Sequence, residues 1–210
     1  LVTAGPTYEP IDPVRFIGNH SSGKMGIALA RELQQRGADV TLVLGPVRQE
    51  VNPEGLTLKK VTTAAEMYEA ALAAFEEADL AIMAAAVADY SPLQKATEKI
   101  KKKEENLAIE LGKTKDILKS LGGQKRTGQV LVGFALETNN EKENALDKLA
   151  RKNADLIVLN SMNDPGAGFG HDTNKITIFD KSGQEFAFGT RHKNEVAKDI
   201  VDTIIRLYYA

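Results

Sequence analysis

The densest set of groups able to do chemistry is Asp12-Pro13-Val14-Arg15-Phe16-Ile17-Gly18-Asn19-His20-Ser21-Ser22-Gly23-Lys24-Met25-Gly26, a loop leading into a helix. Its small and polar residues meet the bare N–H donors of a helix N-terminus, where the helix dipole also favours an anion. A phosphate suits that position; the alternative is that Ser21 and Ser22 only cap the helix. Gly18 to Lys24 spells G-x-x-x-x-G-K, most of a P-loop. That lead fails, because Met25 stands where the loop needs Ser or Thr for a metal ion and no apolar strand runs directly into Gly18.

A second set is basic: Glu98-Lys99-Ile100-Lys101-Lys102-Lys103-Glu104-Glu105. Such runs are by default solvated surface. This one follows Ala84-Ala85-Ala86-Val87-Ala88-Asp89-Tyr90, the carboxyl end of an apolar run, where ligands of open α/β sheets bind. A flexible lysine loop there can fold over a triphosphate and bring charge to the reacting phosphorus. Asp89 either accepts from a ribose or base, holds magnesium, or caps a turn. The alanines before it either admit a flat base to the backbone or pack against a helix. In Gly133-Phe134-Ala135-Leu136-Glu137-Thr138-Asn139, Phe134 either stacks a base or belongs to the core. Lys148 and Lys152, four apart, share a helix face that meets phosphates or solvent. His20, His171 and His192 show no metal spacing, and no Ser-His-Asp set stands out. No metal held by protein ligands is expected, although a bound triphosphate would bring Mg²⁺ held by its own oxygens and water.

The elements that position these groups alternate between apolar runs and helix-period segments, the pattern of a parallel sheet covered by helices on both faces. Strands are predicted at Leu1 to Gly5, Val40 to Leu44, Leu56 to Val61, Leu80 to Val87, Val130 to Leu136 and Leu156 to Leu159, with a short one at Leu107 to Leu111. Helices are predicted at Lys24 to Arg36, with Met25, Ile27, Ala28, Leu29 and Leu33 inward and Gly37 as its stop, and from a Thr62 or Thr63 cap to Ala78. Others are expected at Lys115 to Leu121, stopped by Gly122-Gly123, at Asn140 to Asn153, and at Lys193 to Leu207. Between Tyr90 and Asn106 there is no apolar period, which reads as a mobile flap over about 91–106. Asn163-Asp164-Pro165-Gly166 is rich in turn formers. Ile176 to Phe179 and Glu185 to Phe188 flank Lys181-Ser182-Gly183, predicting a terminal β-hairpin before the last helix, together about 175–209. The fold expected is a single α/β domain over 1–210, a Rossmann-like, doubly wound, mainly parallel sheet with a C-terminal β-hairpin.

The 210 residues suffice to bury a core without staples. With 27 basic against 29 acidic side chains the formal charge is -2, so no global positive field points to nucleic acid or an anionic membrane. Absence of cysteine removes thiol nucleophiles, disulfides and thiolate zinc sites, and points to a cytoplasmic protein. No apolar run approaches the roughly 20 residues that span a bilayer, and no signal peptide is evident. Leu1-Val2-Thr3-Ala4-Gly5 reads as the end of a strand, as expected of an excised domain or a trimmed start.

Taken in order, Ala4-Gly5-Pro6-Thr7, Asp12-Pro13-Val14-Arg15, Asn19-His20-Ser21-Ser22-Gly23-Lys24-Met25-Gly26, Ala85-Ala86-Val87-Ala88-Asp89-Tyr90, Glu98-Lys99-Ile100-Lys101-Lys102 and Gly133-Phe134-Ala135-Leu136-Glu137-Thr138 resemble the bacterial phosphopantothenoylcysteine synthetases. These are usually the C-terminal domain of a bifunctional flavoprotein, and the resemblance covers nearly the whole chain. It implies a CTP-dependent ligase. The carboxylate of 4′-phosphopantothenate attacks the α-phosphate of CTP to give an acyl-cytidylate and pyrophosphate, and the amine of L-cysteine then displaces CMP. It further implies that Asn19 handles the acyl intermediate, Arg15 lies beside it at the pantothenate end, and Lys99 is the flap lysine. The implied CTP-binding residues are Ser21, Ser22, Gly23, Ala85, Asp89, Lys99, Gly112, Lys113, Thr114, Lys115, Phe134, Lys148 and Lys152, with Mg²⁺ accompanying CTP. The family commonly has proline where Lys115 stands and Ser or Thr where Gly18 stands, so those loops differ here. A homodimer is implied, with the terminal hairpin or neighbouring strands taking part. So is a fused or partner phosphopantothenoylcysteine decarboxylase domain, whose flavin chemistry is not expected of this chain. The competing expectations are an NAD(P)-binding Rossmann oxidoreductase and a non-catalytic nucleotide-binding regulator. Against the first, Pro6-Thr7-Tyr8-Glu9-Pro10 lacks the G-x-G-x-x-G fingerprint and no acid ends the second strand at Leu44-Gly45.

Overall fold

The computed structural model describes residues 1–101, 106–137, 139–161 and 171–210. Lys102, Lys103, Glu104 and Glu105 of the basic run, Thr138, and the Asn163-Asp164-Pro165-Gly166 turn lie outside the described residues. The first half of the chain forms β1 (Val2–Ala4), β2 (Tyr8–Pro10), β3 (Phe16–Gly18), α1 (Lys24–Gln35), β4 (Val40–Leu44), β5 (Leu56–Lys60), α2 (Ala64–Phe75), β6 (Leu80–Met83) and β7 (Tyr90–Pro92). The second half forms β8 (Leu111–Lys113), α3 (Ile117–Gln124), β9 (Val130–Glu137), α4 (Glu141–Arg151), β10 (Leu156–Ser161), β11 (Thr173–Asp180), β12 (Glu185–His192) and α5 (Lys193–Tyr208).

The main sheet has the order β12-β11-β10-β9-β6-β1-β4-β5. Pairs from β5 through to β10 are parallel, and the β11/β12 hairpin adds two antiparallel strands. Numbered among themselves, the parallel strands run 3-2-1-4-5-6, the doubly wound order in which ligands bind beyond the carboxyl ends of the strands, where the winding reverses. The reversal lies between β1 and β6.

Each face of the sheet is covered because strand side chains alternate. On β9, Val132 joins one core with Leu29 of α1 and Ile200 of α5, while Leu131 and Ala135 join the other with Met67 of α2, Leu121 of α3 and Leu149 of α4. Full burial of one such Leu or Ile contributes about 1.5–3 kcal/mol. Thr63 caps α2 in a reciprocal box with Glu66, as its sequence position suggests. No helix of the described residues is long and apolar enough to cross a membrane.

Several boundaries differ from expectation, each for a tertiary reason. The strand predicted to Val87 ends at Met83, because the next residues bond to side chains: Ala85 N–H to Thr3 Oγ1 (3.3 Å) and Ala88 N–H to Thr7 Oγ1 (3.0 Å). Helix α3 does not stop at Gly122 but runs through both glycines to Gln124. Gly122 is needed for close approach, since a Cβ there would stand 1.8 Å from the Lys152 carbonyl oxygen. The short strand expected at Leu107 to Leu111 is instead Leu111–Lys113, which pairs antiparallel with Tyr90–Pro92 and roots the flap in a two-stranded ribbon. A second ribbon, β2 with β3, occupies what the sequence suggests is plain loop. At three residues per strand, neither ribbon has a period long enough to read.

Candidate active site

An open cleft of about 710 Å³ lies beyond the carboxyl ends of β6 and β9, on the face covered by α2, α3 and α4. It is lined by Ala85, Asp89, Lys113, Thr114, Lys115, Phe134, Lys148 and Lys152 among the residues expected to hold a nucleotide. One wall exists because Thr114 ties itself to the end of the β6 segment, its hydroxyl donating to Ala88 O (2.6 Å) and its N–H to Asp89 O (2.9 Å). The opposite wall is the α4 face, on which Lys148 and Lys152 stand one turn apart.

Both lysines are engaged within the protein. Lys148 Nζ donates to Phe134 O at 2.7 Å, and Lys152 pairs with Asp116, the N-cap of α3, which also accepts from Lys119 N–H at 2.9 Å. Burial lowers the Lys148 pKa from its ordinary value, with Glu137 acting in the opposite sense. For Asp116, burial raises the pKa, yet the Lys152 bond and the Lys119 N–H outweigh it and the net shift is downward. Phe134 packs against the core shared by α1 and α5 as well as lining the cleft, so its core role is realised. Lys115 Nζ lies 4.7 Å from the centre of the Tyr68 ring, a cation–π contact with α2.

Of the remaining expected residues, Asn19, Ser21, Ser22 and Gly23 lie in the loop before α1. Asn19 Nδ2 donates to Ala86 O (2.9 Å) and Val87 O (3.3 Å), which places this side chain over the same segment that carries Ala85 and Asp89. Ser21 Oγ accepts from Gly23 N–H at 3.3 Å, and neither serine caps α1. The N-cap is Gly23, at φ 76°, with no side-chain cap bond. Any Cβ on Gly23 would meet Val47 Cγ1 at 2.6 Å, and one on Gly26 would meet Ala4 Cβ at 2.5 Å, so these glycines let α1 begin directly against β1. Gly112 pairs with Ser91 in the flap ribbon and Lys99 is exposed; neither lines the cleft.

Arg15 is not in the cleft either. Its Nε and Nη2 bond to Asp12 Oδ2 (3.0 and 2.7 Å), and Nη2 also donates to Ile100 O (2.7 Å). Asp12 accepts in addition from the N–H groups of Val14 (2.8 Å), Arg15 (2.8 Å) and Ile100 (3.1 Å). Burial pushes the Asp12 carboxyl up, but these donors prevail and its pKa is lowered to about 2.

Thr3, Asp116 and Glu137 also line the cleft, and Thr7 and Asp12 tie the loops beside it, although sequence reasoning assigned none of the five a role. Asp116 carried a usable signal, a capping aspartate ahead of an apolar helix. Thr3 and Thr7 carried none, because their partners lie about 80 residues away.

Beside the reversal crevice, the loops that follow β1 and β4 close on each other backbone to backbone. A Cβ on Gly5 would meet Gly45 O at 3.1 Å and Val47 Cγ1 at 3.2 Å, and one on Gly45 would fall 1.8 Å from Pro6 O. Among the described residues no group of three or more His, Cys, Asp or Glu side chains could hold a metal ion.

The chain is 54% identical over 209 residues to a protein named cysteine/cysteine sulfinic acid decarboxylase from an unknown prokaryotic organism, covering 100% of this chain and 58% of that one. It is 47% identical over 208 residues to the coenzyme A biosynthesis bifunctional protein CoaBC of Bacillus subtilis (strain 168), covering 99% and 51% respectively. The chain thus spans about half the length of these curated relatives. A crystal structure of the C-terminal domain of CoaBC superimposes with a TM-score of 0.83 at 40% identity, covering 98% of this chain and 92% of that one. A Cab2 mutant in complex with phosphopantothenate-cysteine has the same fold, with a TM-score of 0.74 at 17% identity, covering 97% and 85%. Residues 1–208 match the family described as the DNA/pantothenate metabolism flavoprotein C-terminal domain, and the chain belongs to that family.

Proposed function

We propose that this chain is a phosphopantothenate–cysteine ligase that uses CTP. The observation that carries the reading is where the sheet is open. The loops after β1 and β4 close on each other, while the ends of β6 and β9 face a cleft whose wall bears Lys148 and Lys152. An NAD(P) reading needs a glycine-rich phosphate loop after β1, where Pro6-Thr7-Tyr8-Glu9-Pro10 stands instead, so it is disfavoured. Incoming phosphate oxygens would take over Lys148 and Lys152 from Phe134 O and Asp116, with Lys113, Thr114 and Lys115 beside them. Asp89 and the backbone around Ala85 would receive the cytidine. Mg²⁺ would arrive on the triphosphate, bound by its oxygens and water, and shield charge there.

In the first step a carboxylate oxygen of 4′-phosphopantothenate attacks the α-phosphorus, the bond to the β-phosphate breaks, and pyrophosphate leaves. In the second, the cysteine amine attacks the acyl carbon, loses a proton and expels CMP. Asn19, held over Ala86 and Val87, would donate to the oxygen on which charge develops at the acyl centre, and Lys99 would supply charge from the flap. Ser21, Ser22, Gly23 and Gly112 act by shaping the loops rather than by direct contact with the base.

The likeness to the coenzyme A biosynthesis protein of Bacillus subtilis supports this reading, as does the product-like ligand of the Cab2 complex. Relatives are about twice as long, so a decarboxylase domain is proposed as the fused or separate partner. Exposed Val14, Phe16, Tyr90, Leu93, Leu107 and Leu111 gather on and beside the two small ribbons, and a second copy of the chain is the proposed cover for them. Sedimentation at two concentrations tests that dimer. The decisive assay incubates the protein with phosphopantothenate and cysteine plus CTP or ATP and follows pyrophosphate. Release with CTP is expected. Absence of release with either nucleotide, or carbon dioxide release from cysteine sulfinate, overturns the proposal.

A further inference from the structure

The Asp12–Arg15 pair has no opening onto the nucleotide cleft, yet it is built with unusual completeness. The Asp12 side chain is fully buried, and five donor groups converge on its two oxygens: three backbone N–H groups and the Nε and Nη2 of Arg15. One of those backbone groups belongs to Ile100, 88 residues away, and the Ile100 carbonyl in turn accepts from Arg15 Nη2. Both polar backbone groups of a single flap residue are therefore clamped by one ion pair. A further bond, Ala96 N–H to Ile11 O at 3.0 Å, fastens the flap to the same turn. Lys99 is the residue immediately before the clamped one.

From this geometry we infer that Asp12 is a positioning residue for the ligase reaction, holding the flap through Ile100 with the help of Arg15 so that Lys99 is presented in one orientation. A purely structural salt bridge would hold the β2–β3 turn to itself, and the bonds within 12–15 would be enough for that. Instead both partners spend one bond on Ile100, the neighbour of an exposed cation that makes no part of the cleft wall. Fixing the peptide on the carboxyl side of Lys99 removes backbone freedom that a loop cation would otherwise have to lose on reaching its target. Arg15 is suited to this work because its planar guanidinium bonds a carboxylate and a carbonyl at once, which a lysine cannot do in the same geometry.

This inference rests on the reading of Lys99 as the flap cation, and two measurements separate the two ideas. The first is mass-spectrometric timing of tryptic cleavage at the Lys99–Ile100 bond in the folded protein. In Asp12→Asn, which keeps size but loses charge, cleavage there is expected to be about tenfold faster as local opening becomes easier. The second is a double-mutant cycle on pyrophosphate release with Asp12→Asn and Lys99→Gln. Asp12→Asn is expected to lower kcat about tenfold with little change in KM for CTP, and the double variant to be no slower than Lys99→Gln alone, because once the Lys99 charge is gone its orientation no longer matters. Unchanged cleavage at Lys99–Ile100, or losses that multiply in the double variant, overturns the positioning role. Wild-type turnover in Lys99→Gln with accelerated cleavage in Asp12→Asn removes Lys99 from the chemistry and overturns the proposal as stated, while leaving the clamp itself standing. If Asp12→Asn loses its cooperative thermal transition, Arg15→Lys carries the same two measurements, since it keeps a cation beside Asp12 but gives up the bridge to Ile100.

Discussion

Lys148 and Lys152 stand one turn apart on α4, whose register is set by Ala145 and Leu149 packing under β9 and β10, and both ammonium groups are parked on acceptors inside the cleft. Lys99 stands on a loop whose bonds to the body of the protein come from Ile11, Asp12 and Arg15, more than 80 residues earlier in the chain. Cations of the first kind inherit their geometry from a helix and a sheet that form anyway. A cation of the second kind depends on contacts that exist only once the two ribbons meet. The cleft is thus preorganised by the core, and the flap by a few polar bonds, so damage to the first should appear in nucleotide binding and damage to the second in turnover.

The largest effect expected is on turnover. Lys99→Gln and Asn19→Asp each remove a group proposed to act on developing charge, and kcat should fall about 10²–10³-fold with the thermal transition unchanged. Wild-type turnover in both breaks the contrast. Next is a structural test of the cleft wall. Gly122→Ala sets a methyl against the Lys152 carbonyl, and should destabilise the protein by about 1–3 kcal/mol in denaturant titration while raising KM for CTP. A wild-type midpoint would mean that α3 can move away.

Lys152→Ala should raise KM for CTP about tenfold with kcat less affected, as loss of one charge-assisted phosphate contact predicts. Its counterpart sharpens the comparison. Asp116→Asn keeps the α3 cap but releases Lys152, so KM for CTP should fall by about two- to fivefold; a rise would mean that Asp116 aims Lys152 rather than competing for it. The smallest effect is one of pH. Burial lowers the Lys148 pKa below its ordinary 10.5, so on raising pH its charge is lost earlier than that of a free lysine. Nucleotide affinity should weaken through that window. In the same window the unfolded chain holds the extra proton, so fold stability should rise slightly with pH, and Lys148→Met should abolish both trends.

How far each region could be read in advance follows the same division. Helices α1, α2, α4 and α5 and the core strands were legible, since the apolar period and caps such as Thr63 are local signals. The cleft residues Ala85, Asp89, Phe134, Lys148 and Lys152 could be placed because each lies at, or just after, a readable strand end or on a readable helix. The two ribbons, the early end of β6 at Met83 and the passage of α3 through Gly122 were not legible. Their causes are Thr3, Thr7 and the Lys152 carbonyl, distant partners that leave no periodic trace. The bonds of Arg15 to Asp12 and Ile100, partners that no local pattern announces, were not legible either.

By itself the amino-acid sequence determined the layered α/β architecture, the terminal hairpin and the motifs that resemble a ligase family, because hydrophobic burial at periods of 2 and 3.6 is written along the chain. Only the tertiary structure decided which mouth of the sheet is open and which cations face it. Those outcomes depend on close approaches such as Gly45 to Pro6 and on single hydrogen bonds spanning 80 residues or more, and no local pattern encodes either.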